Sequence, residues 1–169
     1  MDFRKSTIKD IPSIMGIIKQ AQSYFKSKNI DQWQDGYPNE DSLKGDIEND
    51  ESYVLIEDGK IIATAAISFR GEKTYNKIYD GKWISNDKYA VVHRVAVGDG
   101  YKGRGISYKI IKFSEEKCKE KGFYSIKIDT HDDNFVMRSM LEKNGFKYCG
   151  VILLEDGAER VAYEKILEK

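Results

Sequence analysis

Two Asp-Gly pairs, Asp58-Gly59 and Asp156-Gly157, each lie between two apolar runs, and the stretch between them has room for a single strand–helix–strand crossover. Asp-Gly in that setting is the chemistry of a tight hairpin turn, because the central positions need a left-handed backbone that glycine and aspartate tolerate. "YVLIEDGKIIATAAIS" is therefore one hairpin, and "KYCGVILL" with "RVAYEKIL" is a second that closes the chain. Between them, residues 89–97 read as a strand, the helix after them runs to Gly122 as a C-cap, and "FYSIKID" follows as a strand placed to be parallel to the first. Hairpins at both ends and one parallel crossover in the middle make the fold class α+β: a mixed, largely antiparallel sheet. "FRKST" adds a short strand at the start. Helices are expected after Asp10, with Asp10 as N-cap and Pro12 in the first turn, over about residues 41–48, and from about Asn134 to Asn144-Gly145, giving about four with the crossover helix. Residues 69–88, polar and aromatic with turn signals, read as a connection.

A length of 169 residues suits one domain, 1–169. Lys plus Arg equals Asp plus Glu at 28 each, so no global field favours a polyanionic partner, and neither nucleic acid nor membrane is expected as one. The densest basic stretch, "KIIKFSEEKCKEKG", alternates Lys with Glu at helical spacing, the look of a solvated helix face. No apolar run reaches the length of a membrane span and "MDFRKSTIKD" lacks a signal-peptide core, so a cytoplasmic location is expected. Cys118 and Cys149 lack the close spacings of a zinc site and read as reduced packing residues, with no metal expected.

The chemistry concentrates in "AVGDGYKGRGIS", residues 96–107. Gly98, Gly100 and Gly103 have the spacing of a dinucleotide fingerprint, yet that fold needs several crossovers and this chain supplies one. The phosphate-loop pattern of nucleotide hydrolases fails too, since Arg104-Gly105 stands where Lys and Ser or Thr are required. Lys102 and Arg104 flank Gly103 and add two cations to the loop amides, which suits a ligand with more phosphate than a plain pyrophosphate. Coenzyme A, with a pyrophosphate and a separate 3′-phosphate, is such a ligand. The competing account is that Gly103 and Gly105 simply end a strand and start a helix.

With these residues the chain resembles the GNAT superfamily of acetyl-CoA-dependent N-acetyltransferases over nearly its whole length. "HRVAVGDGYKGRGIS" is similar to the family's fourth strand and pyrophosphate loop, with Gly103 and Gly105 on the two glycines and Gly100 where Gln or Arg is common. "IKIDTHDDNFVMRSMLEKNGFKYCGVI" is similar to its fifth strand, the helix that begins near an Asn, and the closing Gly-Phe turn. The resemblance implies acetyl-CoA as cosubstrate. Lys102, Gly103, Arg104, Gly105, Ile106 and Ser107 would hold its pyrophosphate, and the backbone of Val95, Ala96 and Val97, on a bulged strand, would pair with its pantetheine arm and offer an oxyanion donor. Asn134 would be a further cofactor contact, or only a helix cap. The acceptor is implied to be a primary amine of a small molecule, amino acid or peptide amino terminus, near Trp33 and Tyr37 in "DQWQDGYP", whose aromatic wall with carboxylates suits an ammonium group. Packing alone is the other account of those two rings.

His93 is the candidate base, with His131 and a water chain as alternatives. The family's frequent general acid is a Tyr, and Leu141 stands at that position; Tyr148 or water would then protonate the thiolate. The same departure keeps open a non-catalytic module that binds coenzyme A. Pairing of two copies into a homodimer is compatible with the resemblance.

Overall fold

The computed structural model describes residues 1–169. In chain order it contains β1 (Asp2–Lys5), α1 (Ile11–Ser27), α2 (Glu40–Glu48), β2 (Ser52–Glu57), β3 (Lys60–Ser68), β4 (Ala90–Val97), α3 (Ile106–Glu120), β5 (Ser125–Thr130), α4 (Phe135–Lys143), β6 (Lys147–Leu153) and β7 (Glu159–Ile166). The strands follow the order β1-β2-β3-β4-β5-β7-β6 in one sheet. β4 and β5 pair in parallel at Ala90↔Ile126 and Val91↔Lys127, while β1 with β2, β2 with β3, and β7 with both β5 and β6 are antiparallel. The α+β class, the two Asp-Gly hairpins and the central parallel crossover are all present. No helix is long and apolar enough to cross a membrane.

Two helix starts differ in detail from the sequence expectation. Asp10 does stand immediately before α1, but its carboxylate makes no cap bond to that helix. It accepts instead from the Thr7 amide at 2.7 Å and from two Arg4 nitrogens at 2.7 and 2.9 Å, so it closes the short 3-10 turn that precedes α1. The second helix begins one residue earlier than expected because Asn39 caps it, accepting from the Ser42 amide at 2.9 Å while the Ser42 hydroxyl accepts from the Asn39 amide at 2.9 Å.

The chain divides into two compact units, Met1–Ile67 with Arg94–Ile110, and Ser68–His93 with Ile111–Lys169. In the first, alternation along the strands serves two clusters. Val54 and Ala96 join Ile14, Ile17 and Ile18 of α1 and Leu43 of α2, whereas Leu55, Ile62, Ala63 and Ala65 join Ile106 and Ile110 of α3.

In the second unit, residues 69–88 are far more than a connection. Tyr75 is buried with Val91, Ile152 and Ala162, and Trp83 packs against that cluster. The fully buried Glu164 of β7 accepts from the Ile84 amide at 2.7 Å and from the Ser85 and Ser125 hydroxyls at 2.9 and 2.7 Å. Tyr79 and Val151 exchange two backbone hydrogen bonds of 2.8 Å. That seam has no room for side chains. A Cβ on Gly81 would meet the Cys149 carbonyl oxygen at 2.0 Å, and one on Gly150 the Tyr79 carbonyl oxygen at 2.4 Å.

Candidate functional site

β4 ends where Gly98 donates its amide to the Ile62 carbonyl at 2.8 Å. Asp99–Tyr101 then form one 3-10 turn, closed by Tyr101 N–H on the Gly98 carbonyl at 2.9 Å. Gly98 and Gly100, the first two glycines of the apparent dinucleotide fingerprint, are therefore spent on leaving the strand. The Asp99 amide donates to the Gln20 side chain of α1 at 2.9 Å, which fixes the start of the loop.

Gly103 and Gly105, unlike Gly98 and Gly100, stand in the left-handed region. Their φ angles are +78° and +74°, a left-handed conformation that costs an L-residue about 1 kcal/mol or more. A Cβ at either would touch nothing within 4 Å. Conformation, rather than crowding by the chain itself, thus explains both glycines, and the space beside them is open. α3 begins directly after Gly105, so the turn feeds into a helix N-terminus, where first-turn amides and the dipole favour negative charge. Both cations flanking Gly103 are engaged. Arg104 makes a two-point ion pair with Glu57 at the end of β2, at 2.9 and 2.8 Å. Lys102 lies 3.1 Å from Asp99 and over the Tyr24 ring at 4.5 Å.

Within β4, Arg94 has φ +49°, a left-handed residue inside a strand. Such a residue shifts the alternation of its strand, as a bulge does. After it, Val95 and Val97 pack on the α3 side, and Ala96 is buried on the side of α1 and α2. The Arg94 side chain, 13% exposed, is gripped by the Asp46 carboxylate of α2, which is 7% exposed. Nε donates to one carboxylate oxygen at 2.6 Å and Nη2 to the other. Nη1 donates to the Tyr37 hydroxyl at 2.5 Å. Burial works against the Arg94 charge, and the Asp46 and Tyr37 contacts outweigh it, so the guanidinium's pKa lies above its ordinary value.

The α1–α2 connection carries the two aromatic candidates. Trp33, at φ +60°, packs on the cluster of Ile11, Ile14 and Leu43 and meets Phe25 edge-on at 5.7 Å. Tyr37 is 39% exposed, held by Arg94 at its hydroxyl and by Gln22 Nε2 on its carbonyl at 3.1 Å. Trp33 is thus anchored by packing, whereas Tyr37 is anchored by polar contacts and keeps ring surface outside.

In the second unit, His93 is a half-buried residue of β4. Asn134 caps α4, its carbonyl oxygen accepting from the Met137 amide at 3.2 Å and its amide donating to Thr130 Oγ1 at 3.2 Å. Nδ1 of His131 accepts from the Asp133 amide at 3.0 Å, which puts the proton of a neutral ring on Nε2. Leu141 is fully buried, and Tyr148 on β6 is 48% exposed with its ring edge-on to Tyr163.

A sequence model described as "Acetyltransferase (GNAT) family" matches residues 18–146, which include the bulged strand, the two left-handed glycines and the Asn134 cap. The chain belongs to the GNAT acetyltransferase family. A GNAT-family acetyltransferase of Streptococcus agalactiae 2603 is 35% identical, superposes with a TM-score of 0.91, and the match covers 99% of this chain and 96% of that one. An S-alkylcysteine N-acetyltransferase of Bacillus subtilis is 28% identical over 115 residues, 68% of this chain and 59% of that protein's length. The PaiA N-acetyltransferase of Thermoplasma acidophilum, solved in complex with coenzyme A, shares the fold at 19% identity and a TM-score of 0.70 over 98% of both chains.

For this GNAT protein, three polar residues of the first unit escape a reading of the sequence: Arg94, Asp46 and Glu57. Arg94 had one local signal, a charge in the middle of the otherwise apolar "VVHRVAV". Asp46 and Glu57 had none.

Proposed function

We propose that the protein is an N-acetyltransferase that moves an acetyl group from acetyl-CoA to a primary amine of a small molecule, an amino acid or a peptide amino terminus. The observation that carries the reading is the loop of residues 102–107: two left-handed glycines with open space beside them, flanked by Lys102 and Arg104, opening into the N-terminus of α3. These residues fit a pyrophosphate by charge and by backbone direction. The names of the Bacillus subtilis and Thermoplasma acidophilum proteins are consistent with the reaction and the cosubstrate.

Acetyl-CoA supplies an activated thioester. Lys102, Gly103, Arg104, Gly105, Ile106 and Ser107 bind and neutralise the phosphate end. The Val95, Ala96 and Val97 backbone aligns the arm and gives an amide to the developing oxyanion, and Asn134 adds a cofactor contact. His93 takes the proton that the amine must lose. The amine nitrogen forms the new N–C bond, the C–S bond breaks, and the sulfur leaves as thiolate, taking its proton from Tyr148 or water. Trp33 and Tyr37 border the acceptor, and the reaction runs in the cytosol.

A second reading, a module that binds coenzyme A without turning it over, rests on Leu141, a buried aliphatic residue at the usual position of the general acid. A thiolate is a weak base and leaves without much help, so this residue does not forbid catalysis. One experiment separates the readings: acetyl-CoA with a panel of small amines and amino acids, thiol release being followed optically, beside calorimetry of acetyl-CoA binding. The enzyme releases thiol in the presence of a particular amine, and Gly103→Glu abolishes both release and binding while the fold persists. Binding without release on any amine favours the module. Undiminished binding by folded Gly103→Glu refutes the loop assignment.

A further inference from the structure

We propose that Arg94 is a positioning residue for the acceptor side of the protein. It holds the Tyr37 hydroxyl, and with it the segment of residues 31–37, in a fixed place against β4, so that Tyr37 presents its O–H as an oriented donor. This rests on the reading that the α1–α2 connection borders the amine acceptor.

The geometry is specific to arginine. Nε and Nη2 are taken by the two oxygens of Asp46, which leaves the opposite edge of the same rigid plane for a third partner, and Nη1 is aimed at Tyr37. A lysine, with a single point charge, cannot span a bidentate carboxylate and a phenol at once. The arrangement is also costly. Arg94 occupies a left-handed backbone inside a strand, and both members of the ion pair are largely removed from water. Buried ion pairs of this kind add little net stability over apolar packing. They do fix geometry, and here the fixed object is a phenol on an exposed connection.

The hydrogen-bond count then gives Tyr37 its role. A phenol has one proton to donate and lone pairs to accept with. The bond from Arg94 uses an accepting site, so the Tyr37 proton is left for a partner other than Arg94, and the residue, 39% exposed, has outer surface from which to donate it. The neighbouring chain is braced to keep it there. Gln22 holds the Tyr37 carbonyl, Gln34 Nε2 donates to the Gln22 carbonyl at 3.0 Å, and Trp33 is seated on the α1 cluster. A donor held at that surface recognises a carbonyl or carboxylate oxygen, so the acceptor it suits carries such an oxygen near its amine.

The test uses the full chain and the variants Tyr37→Phe, Arg94→Lys and Trp33→Ala. Amide hydrogen exchange of residues 31–37 reads the positioning without any acceptor. Tyr37→Phe and Arg94→Lys should each speed exchange of that segment by about tenfold, the value of one charge-assisted hydrogen bond, with exchange elsewhere unchanged for Tyr37→Phe. The double variant should be no faster than the worse single one, because both remove the same bond. Exchange of the segment unchanged in Tyr37→Phe, or additive effects in the double variant, overturns the proposal.

Steady-state kinetics with S-methyl-L-cysteine and its decarboxylated analogue then read the donor. Tyr37→Phe should raise KM for S-methyl-L-cysteine by about tenfold, leave KM for acetyl-CoA in place, and abolish discrimination between the two amines. Discrimination that persists in Tyr37→Phe overturns the donor role. Trp33→Ala checks the underlying reading separately: if it and Tyr37→Phe both leave acceptor KM unchanged while exchange responds, the connection is not at the acceptor. If neither amine is turned over, exchange alone decides the positioning.

Discussion

The Arg104 guanidinium at the mouth of the glycine turn is held by the Glu57 carboxylate through two hydrogen bonds, so the loop's strongest cation already has an anionic partner. On the proposal that Arg104 contacts the pyrophosphate, the ligand must share Arg104 with Glu57 or displace it. Both side chains have water around them, 45% and 22% exposed, which keeps the pair weak and exchangeable. Glu57→Gln therefore should tighten acetyl-CoA binding by about threefold at low salt, with the gap closing as ionic strength screens the pair. Calorimetric titrations at two salt concentrations check this, and equal affinities for the two proteins at low salt refute it.

Gly81 offers a test of the seam between residues 69–88 and β6. A methyl group there would lie 2.0 Å from the Cys149 carbonyl oxygen, a backbone atom that cannot swing aside like a side-chain tip. Gly81→Ala should cost about 2 kcal/mol or more of stability, by urea unfolding, because the seam must open to admit it. Gly100→Ala, with nothing within 4 Å of its would-be Cβ, is the control and should change stability by less than about 1 kcal/mol.

The seam also marks where the sequence stopped being legible. Asp58-Gly59 and Asp156-Gly157 announce hairpins because a turn's requirement is written within two residues. Gly103 and Gly105 are legible for the same reason, since a left-handed loop feeding a helix is a local demand. Residues 69–88 have no such period. They are ordered by Glu164, which lies 80 residues along the chain from Ile84, and by Tyr75 donating to the half-buried Asp129 at 2.6 Å across a separation of 54. The same holds for Arg94 with Asp46, 48 residues apart, and for Arg104 with Glu57, 47 apart. A long-range ion pair leaves no spacing signature, so Arg104 was readable from its loop, whereas its partner Glu57 and the whole Arg94–Asp46 pair were not. The Asp10 cap was half legible: the residue type fitted, but Arg4 and Thr7 claim the carboxylate.

Both cysteines are free and buried, and their chemistry is set by that. Burial, with the Glu115 charge adding to it, pushes the Cys118 thiol up to about 12. At neutral pH its thiolate fraction is then on the order of 10⁻⁵, and the thiolate is the reactive form. Burial raises Cys149 as well. Iodoacetamide should leave both thiols unmodified in the native protein over times that alkylate free cysteine fully, and should modify both in guanidinium. Native-state labelling of Cys118 as fast as that of a peptide thiol refutes this.

Asp10 should govern part of the acid stability. Its bonds from Arg4, chiefly, hold the carboxyl down from 3.8 to about 2. A group whose folded pKa is depressed stabilises the fold above its unfolded pKa and loses that contribution as pH falls through the folded one. The contribution is thus full above about pH 4 and gone below about pH 2, and with Arg4 half in water it amounts to about 1 kcal/mol. Asp10→Asn should lower the urea midpoint at pH 7, with the deficit against the parent shrinking towards pH 2. A deficit that does not vary with pH assigns the loss to packing instead.

The proton-transfer step gives the sharpest test of chemistry. An amine can attack only as the neutral base, and His93 is proposed to remove its proton; it sits in β4 immediately before the left-handed Arg94, where the backbone turns and the strand's alternation shifts. Imidazole is suited to this because its ordinary titration range spans neutrality. His131, the other histidine, has its Nδ1 committed to the Asp133 amide, so in the neutral ring no second nitrogen is left to accept a proton without giving up that bond. His93→Gln keeps a hydrogen-bonding side chain of similar reach while removing the base. It should lower kcat/KM by about 10² and abolish the ascending limb of the pH–rate profile, with affinity for acetyl-CoA unchanged. His131→Gln, by contrast, should keep the limb and lose at most the stability of one turn at the start of α4. If His93→Gln retains both rate and limb, His93 is a structural residue of β4 and the base is His131 or water, which the His131→Gln profile then separates.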